Sequence, residues 1–159
     1  MLLVLVAVAV IGLVAANSLQ AGSQVSRRDA EEELLQVGLT FQRAILGYIN
    51  TSPGQAVLGP RSLDELLRDP RVPGVRRHLR QIPHDPLTGR SDWGLLRSAD
   101  GQIIGVFSLA EGRPIKRAGF EPALVRLTDA PSYQAWVFGP ALPPAFAAGG
   151  PPLAAQRPR

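Results

Sequence analysis

The order of apolar and polar residues divides the chain into three parts. Residues 1–16 contain no charged or hydrogen-bonding side chain, and polarity begins at Asn17. From Asp29 onward apolar residues recur every three or four positions, the spacing of an amphipathic helix. No proline occurs before Pro53, so we predict one helix ending near Asn50, apolar all round in its first half and amphipathic in its second. The predicted buried stripe of the second half is Leu34, Val37, Phe41, Ile45 and Tyr48, widened by Leu35, Leu39, Leu46 and Ile49.

The apolar run is almost long enough to cross a membrane. A spanning helix needs about 20 mostly apolar residues, and residues 1–21 reach that length. A signal peptide cleaved after Ala21 and a buried core helix are the alternatives. The first lacks a positively charged start, and the second needs a larger apolar shell than the chain supplies. Arg27 and Arg28 follow the run with no basic residue before it, so the positive-inside rule taken alone places the rest in the cytoplasm.

A small mixed domain is predicted after the long helix. Ser62-Leu63-Asp64-Glu65-Leu66-Leu67 has the form of a capping box, which predicts a short helix. Residues 75–80 suggest another helical turn. Residues 92–97 and 102–108 flank an Asp100-Gly101 turn, which predicts a β-hairpin.

A third strand is predicted over residues 133–138, and Trp93 and Trp136 are expected to pack against the amphipathic half of the helix. The predicted fold class is therefore α+β, a long N-terminal helix packed on a small antiparallel sheet. The division is 1–21 as a transmembrane or assembly helix, 22–138 as amphipathic helix plus head, and 139–159 as a disordered Pro/Ala-rich tail.

Composition narrows the chemistry. The chain has no cysteine, which excludes disulfides and thiolate metal sites within it. Aromatic residues make up 6% of the chain, so a small, aliphatic core is expected. The net charge is +4, and the Arg76-Arg77-His78-Leu79-Arg80 stretch lacks the interleaved aromatics of a nucleic-acid surface. We interpret it as a solvated helix face or a partner for the Asp64 and Glu65 region.

No residue pattern indicates an enzyme. His78 and His84 match no metal-ligand spacing, so a surface or loop role is expected for both. Asp85 precedes Pro86 and lies four residues before Gly89, the pattern of a turn rather than of a catalytic acid. The sequence contains no phosphate loop and no nucleophile elbow. We expect no catalytic residue, no metal, no cofactor and no nucleic-acid partner.

Taken together, these segments resemble the type IV pilin and type II secretion pseudopilin superfamily. The apolar run, with Gly12 inside Val10-Ile11-Gly12-Leu13, is similar to that family's N-terminal helix. Pro60-Arg61-Ser62-Leu63-Asp64-Glu65-Leu66-Leu67 resembles the short helix that follows the long one. Asp85-Pro86-Leu87-Thr88-Gly89 and Asp92-Trp93-Gly94-Leu95 resemble the Asp-Pro and Trp-Gly region that enters the pseudopilin sheet.

The resemblance implies a pilin-like structural subunit of a pseudopilus for protein transport by type II secretion. Its partners would be other pseudopilin subunits, the inner-membrane assembly platform and membrane lipid. The expected location is the inner membrane, single-pass, with the head in the periplasm. The head motif residues are Asp85, Pro86, Gly89, Asp92, Trp93 and Gly94. The membrane and assembly residues are Leu2, Leu3, Val4, Leu5, Val6, Ala7, Val8, Ala9, Val10, Ile11, Gly12, Leu13, Val14, Ala15 and Ala16.

The sequence also departs from this family. A basic leader ending in Gly-Phe, where prepilin peptidase cuts, does not precede the apolar run, and the slot for the usual acidic residue falls near Leu3. We therefore expect the true start to lie upstream of Met1, where a basic leader would also reverse the orientation given by Arg27 and Arg28 and place the head outside the cytoplasm. The acidic residues Asp100, Glu111, Glu121 and Asp129 are scattered, so the family's calcium loop is not carried over. The alternatives are a membrane-anchored periplasmic scaffold or binding domain that does not polymerise, and a secreted enzyme with a cleaved signal peptide.

Overall fold

The longest element is helix α1, Leu2–Asn50, followed by the short helix α2, Asp64–Leu67. Strands β1, Trp93–Arg97, and β2, Ile103–Ser108, come next. Two 3₁₀ helices follow, Pro122–Leu127 and Tyr133–Ala135. This computed structural model describes residues 2–51 and 59–140, with side chains from residue 25 onward. The prediction of an α+β fold with a long helix packed on a small antiparallel sheet is confirmed.

One face of α1 supplies much of the core. The predicted stripe residues are buried except for Val37, which is partly buried, as is Ile49 among the residues that widen the stripe. Each large apolar side chain that is fully buried in this way stabilises the fold by about 1.5–3 kcal/mol. The prediction for Leu46 is wrong, because this side chain is 44% exposed. Around the helix axis, Leu46 points in nearly the same direction as Glu32 and Arg43, both of which face solvent.

The predicted hairpin is confirmed. Strands β1 and β2 pair antiparallel, with Trp93 opposite Ser108 and Gly94 opposite Phe107. Gly101 has a φ of 77°, the left-handed conformation that the Asp-Gly turn predicts. The amide of Ser98 donates to the carbonyl of Gln102 at 2.8 Å and closes the turn.

The predicted third strand over residues 133–138 is wrong. Tyr133–Ala135 is a 3₁₀ helix, and only Phe138 bridges β2, exchanging two backbone hydrogen bonds of 2.8 and 2.7 Å with Val106. Tyr133 and Trp136 are both buried and their rings meet edge to face at 5.7 Å. A strand would direct side chains three residues apart to opposite faces, whereas a 3₁₀ turn places them on one side.

The short helix α2 forms without the predicted capping box. Its N-terminus carries no side-chain cap, and the Glu65 carboxylate instead accepts from the Tyr48 hydroxyl at 2.6 Å and the Arg61 amide at 3.1 Å. Glu65 therefore joins α2 to the end of α1.

The helical turn predicted for residues 75–80 is also wrong. The amides of His78 and Leu79 both donate to the carbonyl of Leu66, at 2.8 and 2.9 Å, which ties this segment to α2. Those bonds to α2 replace the local hydrogen bonds of a helical turn.

Two predicted regions lie outside the residues described at side-chain level. They are the apolar segment, residues 1–21, and almost all of the tail, residues 141–159. Among the residues described in this way, none of the helices is long and apolar enough to span a membrane.

Candidate functional site

The predicted assembly residues, from Leu2 to Ala16, lie within α1. The structure describes their backbone but not their side chains. The described part of the candidate site is therefore the junction between α1 and the head. Two sets of side chains form it. One is the Asp-Pro and Trp-Gly region predicted from sequence, and the other consists of buried polar groups whose role the sequence did not indicate.

The Asp-Pro segment is a turn, as predicted. The Asp85 carboxylate accepts from the Leu87 amide at 2.9 Å, and the Gly89 amide donates to the Asp85 carbonyl at 2.7 Å. Gly89 has a φ of 69°, which favours glycine. The buried carboxylate also accepts from the Ser108 hydroxyl at 2.6 Å, so Asp85 fixes the turn against the end of β2.

The Trp-Gly segment connects the hairpin with α1. Trp93 donates from its indole to the Pro83 carbonyl at 3.0 Å and meets Phe41 of α1 edge to face at 4.9 Å. A Cβ atom at Gly94 would lie 2.1 Å from the ring of Phe107, so this position has no room for a side chain. The neighbouring Asp92 forms an exposed ion pair with Arg90 and has no part in this packing.

Glu31 is the main residue that sequence reasoning missed. Its carboxylate is 1% exposed and accepts from the amides of Ile115 and Lys116, at 2.7 and 3.0 Å, and from the Tyr133 hydroxyl at 2.5 Å. Arg27 donates to the same hydroxyl at 3.0 Å. The available signal was position, because Glu31 precedes the buried Leu34 by three residues and so lies on its face of the helix.

The Tyr133 hydroxyl of this cluster keeps its proton. Burial raises the pKa of Tyr133 to about 12, and the hydrogen bond to Glu31 acts in the same direction. The hydroxyl therefore remains a donor at neutral pH, and the carboxylate is occupied by three donors from the head. The arrangement is suited to holding the head on α1 rather than to moving a proton.

A second buried carboxylate, Asp69, organises the other end of the junction. Arg71 donates to it at 2.9 Å, and His78 lies 3.2 Å from it. The hydrogen bond from Arg71 holds the pKa of Asp69 well below its usual range. Arg71 also donates to the Tyr48 carbonyl at 2.7 Å, placing a cation where the α1 macrodipole is negative.

The two histidines are not brought together. His78 lies in a loop, as expected, but its side chain is nearly buried between Asp69 and Tyr48. His84 instead forms a 2.9 Å hydrogen bond with Ser91. Within the described residues, no three His, Asp or Glu side chains are arranged to hold a metal ion.

The arginines of the basic stretch are exposed rather than paired with Asp64 or Glu65. Arg76, Arg77 and Arg80 all face solvent. In the described part of the chain, the ion pairs join Arg71 and His78 to Asp69 and Arg90 to Asp92. The predicted partner of the basic stretch is therefore wrong, and its predicted solvent exposure is confirmed.

Comparisons with protein-family models, curated proteins and solved structures find no significant match to this chain.

Proposed function

We propose that this protein is a structural subunit of a pseudopilus-like fibre, assembling through the apolar N-terminal part of α1. The supporting sequence features are the uncharged run before Asn17 and the Asp-Pro and Trp-Gly segments. The supporting structural feature is that the apolar run lies in the same helix that packs against a small head, and that the Asp-Pro and Trp-Gly segments lie in this head. The head would lie in the periplasm, and the fibre would form from parallel packed helices in a pilin-like arrangement.

The continuity of α1 carries this proposal. A single helix, Leu2–Asn50, contains the apolar run and also buries its C-terminal half against the head. A rigid connection of this kind fixes the position of each head relative to the helix that would pack in the fibre. A flexible linker, which is sufficient for a simple anchored domain, does not have that property.

The buried carboxylates favour a structural role. Glu31, Asp69 and Asp85 are all buried, and each accepts hydrogen bonds from neighbouring elements of the same chain. A catalytic carboxylate needs access to substrate and an open oxygen. These three groups hold α1, α2, the hairpin and the connecting loops together.

Cysteine cross-linking in the membrane tests the proposal. The chain has no native cysteine, so Ala9→Cys and Gly12→Cys would introduce the sole thiols. We expect oxidation to join neighbouring helices through pairs of these positions and to produce a ladder of multimers in the doubly substituted chain. Asp100→Cys, on the exposed hairpin turn, is the control and should give little product. Monomers alone at every position would favour the anchored domain that does not polymerise.

A further inference from the structure

A groove runs beside the exposed face of α1. Its volume is about 430 Å³. The floor consists of apolar side chains that are largely buried, and the rim consists of exposed carboxylates. The floor residues are Leu35, Leu39 and Leu124, and the rim residues are Glu32, Glu33 and Glu121.

One cation also lines this groove. The Lys116 ammonium lies 5.5 Å from the centroid of the Phe120 ring, at the groove edge. The rim therefore carries three carboxylates against one ammonium, and none of the three carboxylates belongs to an ion pair within the described residues. The groove suits an apolar side chain flanked by positive charges.

The same chain presents such a group on the loop of residues 74–77, which we term the basic loop. Val75 is 69% exposed at its tip, beside the exposed Arg76 and Arg77. In the described part of the chain neither arginine has an ion-pair partner. Asp69 donates its amide to the Arg76 carbonyl at 2.9 Å, which holds the loop in place on the head.

We propose that the basic loop of one copy docks into the acidic groove of a neighbouring copy. Val75 would contact the apolar floor, and Arg76 and Arg77 would face Glu32, Glu33 and Glu121. The occupant is a second copy of this chain because the two surfaces are complementary. The groove has an apolar floor bordered by carboxylates, and the loop has an apolar side chain next to two arginines. This inference rests on the proposed function and specifies how adjacent heads meet.

The positions of the two surfaces exclude pairing within one molecule. The groove is level with Leu35 of α1, whereas the basic loop is next to His78, which packs on Tyr48 with ring centroids 5.5 Å apart. Thirteen residues of helix separate these levels by about 20 Å. Docking therefore requires two parallel copies, with the copy that supplies the loop displaced by about that distance towards the N-terminal end of α1 in the copy that supplies the groove.

A contact between two different surfaces repeats without closing. Each copy would offer its loop to one neighbour and its groove to another, which generates an open filament unless a rotation closes a ring. Exposed charge pairs contribute little affinity individually, and their main effect is on orientation and partner selection. The docking would thus set the register of heads in a fibre held mainly by the apolar helices.

Disulfide cross-linking of the full chain in membranes tests the docking. Val75→Cys combined with Gln36→Cys, a groove position, should give a ladder of cross-linked multimers. Val75→Cys combined with Gln134→Cys, an exposed glutamine outside the groove, is the matched control. Equal yields from the two pairs would overturn the docking.

Reversing the charges of the basic loop and of the groove rim provides a second test of the docking. Adding Arg76→Glu and Arg77→Glu to the Val75/Gln36 cysteine pair should lower the yield about tenfold, because like charges then face each other. Further adding Glu32→Arg and Glu33→Arg should restore it. Loss without restoration, or no loss at all, would contradict the charge pairing.

The two proposals fail separately. A ladder from cysteines at Ala9 and Gly12, without one from the Val75/Gln36 pair, would overturn the docking and leave the fibre subunit intact. Absence of both ladders would overturn the fibre subunit and the docking together.

Discussion

Adjacent glutamates on α1 have opposite environments. Glu31 is buried under the head and accepts three hydrogen bonds, whereas Glu32 faces solvent. The difference follows from the helical period, since a step of one residue rotates the side chain by about 100°. Glu32 can therefore serve as the control for a substitution at Glu31.

Glu31→Gln is expected to lower the free energy of unfolding by about 2–3 kcal/mol. The Ile115 and Lys116 amides donate to different oxygens of the carboxylate, so in the glutamine variant one of them would face the NH2 group instead of an acceptor. Thermal or chemical unfolding of the protein in detergent, followed by circular dichroism, measures the loss. Glu32→Gln should change stability by less than about 0.5 kcal/mol, and similar losses for both variants would contradict the role of Glu31.

Asp69 predicts a dependence of stability on pH. Its pKa is held below the ordinary value of 3.8 in the folded state, so at low pH the unfolded chain binds a proton that the folded chain does not. The stabilisation is complete above about pH 5 and is lost as the pH falls towards the folded-state pKa. Unfolding measured from pH 5 downwards should show this decline, and Asp69→Asn should flatten it. An unchanged slope in the variant would rule Asp69 out as its source.

Local sequence signals predicted some of these residues and missed others. The Asp85 turn was predictable because its donors lie within four positions. The partners of Glu31 lie 84, 85 and 102 residues away, so no local pattern announces them. The partners of Asp69 are close to it in sequence, but its burial depends on α1 and on the segment that follows Asp69.

At the scale of elements, periodicity was a good guide where one face of an element meets the core. Helix α1 and the β1–β2 hairpin follow from apolar spacing and from the Asp100-Gly101 turn. Residues 75–80 and 133–138 are short segments whose backbone follows contacts with α2, Glu31 and Phe120. Segments this short do not determine their own conformation.

Packing between elements predicts different effects at two glycines of α1. A Cβ at Gly38 would lie 2.1 Å from the Phe138 ring, whereas a Cβ at Gly47 would be 3.2 Å from the His78 Nδ1 atom. Gly38→Ala should destabilise the protein by about 1–3 kcal/mol through overpacking. Gly47→Ala should alter stability by no more than about 1 kcal/mol, because improved helix propensity offsets a small adjustment of His78. Chemical denaturation compares them, and equal effects would disprove the close packing at Gly38.

On the scale of the whole molecule, Phe138 joins three parts of the fold. Its ring covers Gly38 of α1, its backbone pairs with Val106 of β2, and it follows the 3₁₀ helix that carries Tyr133. The fold class was predictable because it depends on the number and length of elements. The closure of the head by residues 133–138 was not, because it depends on contacts between distant segments.

Phe138→Ala is expected to cost about 3–5 kcal/mol, the usual range for removing a fully buried aromatic side chain. The melting temperature of the full chain measures this loss. Val125→Ala, at a 63% exposed position, should leave the melting temperature nearly unchanged. A small effect at Phe138 would show that the head closes without this ring.

The attachment along α1 has a mechanical consequence. The side chains that hold the head extend over nearly five turns of the helix, from Glu31 to Tyr48, and follow one another along its axis. A pull on the N-terminal end of α1 would load these contacts in shear, all at once, rather than peel them apart singly. A machine that drags the helix lengthwise would therefore carry the folded head with it.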